Sequence, residues 1–103
     1  MQERRTAPRF RTNLNVRWET LRTQGRGELC DISSSGCFIL TGGHAQEREL
    51  VAIEILLGNE VASLWGNVVY TISEMGFAVH FLCESAADEE SLGLVLKNVD
   101  LAF

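Results

Sequence analysis

A chain of 103 residues is enough for one small domain with one modest core and too short for two of ordinary size. Hydrophobic residues at 46% and charged residues at 22% are ordinary globular usage, which excludes wholesale disorder, and no apolar run approaches the ~20 residues that span a bilayer. The formal charge of −5 is unevenly divided: residues 1 to 26 hold seven basic and two acidic residues, a balance of +5, while residues 27 to 103 hold two basic and twelve acidic, a balance of −10.

The cationic start is expected to be a flexible arm over residues 1–12, followed by one domain over 13–103. Within the arm, ERRTAPRFR has four arginines in nine positions, and Pro8 disfavours the helical conformation at Ala7, so Arg5 and Arg9 do not share a helix face. Leu14, Val16 and Trp18 alternate with Asn13, Asn15, Arg17 and Glu19, which predicts a first strand over roughly 11 to 20. TQGRG gives a turn, GELCDI and CFILT read as two short strands joined at Ser33 to Gly36, and LVAIEILL is a fourth strand. GNE turns it into VASLWGNVVYTI, a long strand expected to bend at Gly66, and SEMG leads to FAVHFL, where Phe77, Val79 and Phe81 alternate with Ala78, His80 and Leu82. Trp18 and Trp65 both fall in apolar alternations and are expected to pack inside. Six short strands joined by turns predict an all-β antiparallel barrel or sandwich.

The last segment changes period. Leu92, Val95, Leu96 and Val99 mark one helix face, and Ser85 followed by Asp88 suits an N-cap, so a C-terminal helix is predicted over about 86–100. Its stripe must cover the open end of the barrel or a partner protein. Cys30, Cys37 and Cys83 are odd in number and lack C-x-x-C spacing, which fits reduced, mostly buried thiols. The arginine-rich start lacks an apolar signal core, so a cytoplasmic location without membrane insertion is expected.

Two clusters carry chemistry. All seven basic residues among the first 26 are arginine, whose planar fork suits phosphate oxygens, the O6 and N7 edge of guanine, and stacking on an aromatic face. About 22 residues beyond Arg9, DISSSG offers the Asp31 carboxylate, the Ser33 hydroxyl and the Gly36 turn. One carboxylate matches the adjacent N–H and NH₂ groups of guanine. Together the clusters could hold a guanine nucleotide by both edges and by its phosphates.

At these residues the chain resembles the PilZ family of bacterial cyclic di-GMP receptors. Arg5 and Arg9, preceded by Arg4, match the family's R-x-x-x-R motif, and Asp31, Ser33 and Gly36 match its D/N-x-S-x-x-G motif. GNVVY and GFAVHF resemble its later strands. Ser35 departs from the pattern, standing where many members have glycine. The resemblance implies a six-stranded antiparallel β-barrel with a C-terminal helix. It implies that Arg5 and Arg9 clamp guanine and phosphate, that Asp31 and Ser33 bond a guanine edge, and that Gly36 shapes the turn. An arginine at the position of Arg4 goes, in some members, with a ligand bound as a stacked dimer. The expected mechanism is ordering: the arm closes over the −2 ligand and builds a surface for a downstream protein partner. No cofactor is implied.

Blander readings compete. An arginine-rich terminus alone is usually a solvated tail, and D-x-S-x-x-G alone is usually a hairpin turn. An oligonucleotide-binding barrel suits the basic arm, but the −10 balance over residues 27–103 would repel a nucleic-acid polymer. A PilZ-like interaction module without ligand would have no use for a guanine-shaped set of side chains. Enzyme chemistry finds no support, because His44 and His80 are far apart and no metalloprotease, nucleophile-elbow or P-loop motif is present.

Overall fold

The computed structural model describes residues 8–101, and these form six strands and one helix. β1 (Phe10–Glu19), β2 (Gln24–Ile32), β3 (Gly36–Leu40), β4 (Leu50–Leu57), β5 (Glu60–Ile72) and β6 (Gly76–Phe81) precede α1 (Ala86–Leu101). Every neighbouring pair is antiparallel, and the order β1-β2-β3-β6-β5-β4 closes into a barrel. The expected fold class is therefore the observed one. β1 opens at Phe10, which pairs with Ile32, so residues 10–12 of the expected arm lie in the sheet.

Alternation puts one face of each strand inside. Val16 and Trp18 of β1, Val51, Ile53 and Ile55 of β4, Ala62, Leu64 and Val68 of β5, and Phe77, Val79 and Phe81 of β6 share one core. The Trp18 and Phe77 rings meet edge to face at 5.1 Å and 85°. Trp18 also donates from Nε1 to Thr41 Oγ1 at 3.2 Å, which satisfies its one polar atom.

Trp65 does not follow Trp18 inside. It faces outward and is 47% exposed, because Ala62, Leu64, Gly66 and Val68 take the inward positions of β5. The irregularity of β5 also lies elsewhere than expected, in a register shift between Val68 and Tyr70. Gly66 instead marks a close approach, where any Cβ would run into the Val79 side chain and the His80 carbonyl. The turn from β4 to β5 uses Gly58 at φ 69°, the left-handed conformation that the first central residue of a tight hairpin needs.

α1 is capped as its sequence indicates. The Asp88 N–H donates to Ser85 Oγ at 3.1 Å, and the Asp88 carboxylate accepts the Glu84 N–H at 3.1 Å. The acidic first turn, Asp88 and Glu89, also suits the helix dipole. Leu92, Val95 and Val99 are buried and Leu96 is partly buried; α1 packs mainly on β5, with lesser contact on β1 and β4. Burying the three inward side chains contributes up to about 5 to 9 kcal/mol. The stripe thus covers the barrel itself.

Candidate functional site

Two irregularities decide where Asp31 points. Leu29 and Ile32 are both fully buried although they stand three residues apart, which strict alternation would forbid. The register between β2 and β3 shifts between Leu29 and Asp31, so Cys30 is an extra residue on β2. The parity therefore resets: Ile32 enters the core and Asp31, which would otherwise follow Leu29 inward, faces out. A second shift, between Arg11 and Leu14 of β1, accompanies it.

Asp31 lies directly opposite Arg11 on one side and Phe38 on the other. Arg9, one residue ahead of β1, donates from Nη2 to Asp31 Oδ1 at 2.7 Å. The two side chains are 50% and 30% exposed, so the pair contributes only about 0 to 1 kcal/mol to stability. The fold does not depend on it. Two groups separated by 22 positions in the chain nevertheless meet on the barrel's outer face. Arg4 and Arg5 lie outside the described residues.

The rest of the second motif serves the β2–β3 turn. Ser33 is 1% exposed, and its N–H donates to the Gly36 carbonyl at 2.8 Å. Its Oγ accepts the Ser35 N–H at 3.2 Å and lies 3.1 Å from Ser35 Oγ. The Ser35 carbonyl accepts the Phe81 N–H at 2.9 Å, which ties the turn to the end of β6. Gly36 pairs with His80, and a Cβ there would collide with the Val79 carbonyl oxygen. Serine and glycine are thus required by this turn, whereas Asp31 has no such structural duty.

Two other cations of the basic segment are engaged elsewhere. Arg17 pairs with Glu54 across β1 and β4 at 2.9 Å, and Arg22 lies 3.7 Å from Glu49. Cys30 and Cys83 are partly buried and Cys37 fully so, which corrects the expectation that most thiols are buried. Burial raises the pKa of all three, and for Cys30 and Cys37 the charge of Asp31 adds to it. A thiol kept protonated is a poor nucleophile. His44 and His80 join no cluster of metal-ligating side chains among the described residues.

Nothing in the sequence marks Phe38 and Tyr70 as site residues. The Phe38 ring, outward on β3, stands 6.2 Å from that of Tyr70 on β5 at a tilt of 39°. Strict alternation from Val68 would send Tyr70 inward; the extra residue Val69 turns it out. No compositional signal marks that bulge.

Among curated proteins no sequence matches. Solved structures do. The PilZ domain of CeSA from a cellulose-synthesizing bacterium superposes with a TM-score of 0.80 at 15% identity, over 90% of this chain and 98% of that one. The PilZ domain of YcgR from Escherichia coli, solved with c-di-GMP, gives 0.81 at 18%, over 97% and 94%. The K. pneumonia MrkH–c-di-GMP complex gives 0.72 at 18%, over 97% of this chain and 53% of that one. At these identities the likeness shows the fold. The PilZ domain family model matches residues 3–97, which takes in both motifs and all six strands. The chain belongs to the PilZ domain family.

Proposed function

We propose that this protein is a receptor for cyclic di-GMP that acts without catalysis, through a protein partner. The observation that carries this is the 2.7 Å approach of Arg9 to Asp31 on a solvent-facing wall, a pair the fold itself does not require. Asp31 offers a carboxylate of the right width for the N–H and NH₂ of a guanine edge. Arg9 offers the complementary fork for O6 and N7 or for a phosphate. On binding, Asp31 exchanges one guanidinium donor for two base donors, and Arg9 turns onto the far edge or the phosphate. Arg5 adds a second guanidinium, and Ser33 and Gly36 act from beneath by holding the turn.

The YcgR PilZ domain and the MrkH complex both hold c-di-GMP, which supports extending that ligand to this chain. Closure of the segment ahead of β1 over a −2 ligand would change the surface offered to a downstream protein, in the cytoplasm where such signals circulate. Arg4 beside Arg5 favours a ligand bound as a stacked pair.

Titration calorimetry tests the proposal. Cyclic di-GMP should give heat, with two ligands per chain if the stacked pair binds, whereas linear diguanylate and single-stranded DNA should bind at least tenfold more weakly. Equal affinity for DNA would favour an oligonucleotide-binding barrel. No heat from any ligand would leave an interaction module without ligand, for which the exposed Trp65, Leu50 and Val61 on the outside of β4 and β5 offer an apolar surface.

A further inference from the structure

The cross-strand row that carries Asp31 does not end there. It runs Arg11 on β1, Asp31 on β2, Phe38 on β3, Ala78 on β6 and Tyr70 on β5, each directly paired with the next. With neighbouring strands ~4.8 Å apart, Asp31 and Tyr70 are about 14 Å apart along the row. Between them Ala78 carries only a methyl group, so the row dips. Phe38 and Tyr70 lean across the dip until their rings are 6.2 Å apart.

The two rings differ in what they leave open. Phe38 faces outward yet is 7% exposed, whereas Tyr70 is 47% exposed. Phe38 is therefore a foundation, and the open aromatic surface belongs to Tyr70. The barrel gains little from an outward tyrosine half in water, and the bulge at Val69 is what turns it outward. A purine gripped by its edge at Asp31 can extend along the row in the direction away from Arg11, over Phe38 and Ala78, toward that ring. Aromatic side chains offer a base a π-face irrespective of its hydrogen-bonding edge.

We propose that Tyr70, backed by Phe38, is a base-contacting wall of the ligand site and receives the purine whose edge Asp31 holds. This rests on the proposed guanine-dinucleotide ligand. It adds a contact outside both arginine and aspartate motifs, from a strand on the other side of β6.

Calorimetry with cyclic di-GMP on the full chain decides it, with wild type, Tyr70→Leu, Tyr70→Phe and Ile72→Ala compared. Tyr70→Leu keeps bulk and loses the π-face, so its Kd should rise roughly 5- to 150-fold. Tyr70→Phe should stay within about threefold of wild type, because it restores the ring. Ile72 is 43% exposed on the same face two residues along β5, and its replacement should leave Kd unchanged. The chain has one tyrosine, so a single set of tyrosine ring proton resonances should shift on ligand addition. Wild-type affinity in Tyr70→Leu, an equal loss in Ile72→Ala, or unmoved tyrosine resonances in a ligand-bound wild type would each overturn the wall and leave the receptor standing. Absence of binding by wild type would end both.

Discussion

Replacing Asp31 by alanine separates a binding residue from a structural one, because the two roles predict opposite pairs of results. Its carboxylate is 30% exposed and its partner guanidinium 50%, so water screens the ion pair and its loss should cost no more than about 1 kcal/mol. For a domain of this length that corresponds to a fall in Tm of less than about 8 °C. Binding should respond far more. Each hydrogen bond to a charged group is worth about 1.5 to 3 kcal/mol, and removing the carboxylate takes away the acceptor for both base donors, so a loss near 3 kcal/mol, roughly 150-fold in Kd, is expected. Arg9→Ala should cost about 2 kcal/mol in binding, roughly 30-fold, with a similarly small change in Tm. Melting curves and titrations on wild type, both single variants and the double variant give a complete cycle. An Asp31→Ala variant that melts more than about 10 °C lower while binding as tightly as wild type would instead make Asp31 part of the frame.

Three further outcomes follow from the geometry. Gly36→Ala would force a Cβ against the Val79 carbonyl oxygen between paired strands, and it should destabilise by about 1 to 3 kcal/mol in urea unfolding whether or not ligand is present. Ser85→Ala removes the acceptor of the Asp88 N–H at the start of α1; a loss of about 1 kcal/mol in the same assay checks it. Burial holds the Cys37 thiol well above the ordinary value of 9.0, so the folded protein keeps its proton after the unfolded chain has lost it. The stability from this difference is complete below pH 9 and should decline as pH rises beyond it, by up to about 1.4 kcal/mol per pH unit, a decline that Cys37→Ala should reduce relative to wild type in melts between pH 8 and 10.5.

Legibility in the sequence followed the physical origin of each feature. α1 could be read because its period, its cap and its acidic first turn are all local, and the strands could be read where one face is uniformly apolar, as at Val51, Ile53 and Ile55. β5 resisted because both faces carry apolar residues while two inward positions, Ala62 and Gly66, are small; hydrophobicity could not tell which way Trp65 pointed. The bulges at Cys30 and Val69 are properties of hydrogen-bond register between strands, and nothing in the residues themselves announces them. The meeting of Arg9 with Asp31 was legible through the two motifs. The alignment of Tyr70 with Asp31 was not, since it depends on register summed across four strands.

The barrel is closed between β1 and β4 by a ladder of only four residue pairs, Val16–Glu19 with Ala52–Ile55. α1 packs on β5 and touches β1 and β4, the two strands that this ladder joins. The helix therefore works as a clasp as well as a cover. A truncation before Ala86 would release the seam and expose two strand borders with unsatisfied amides and carbonyls, next to a newly wetted apolar end. The truncated chain should therefore pair with strands of its neighbours more readily than the full domain does, an aggregation tendency that the carboxyl-terminal helix suppresses.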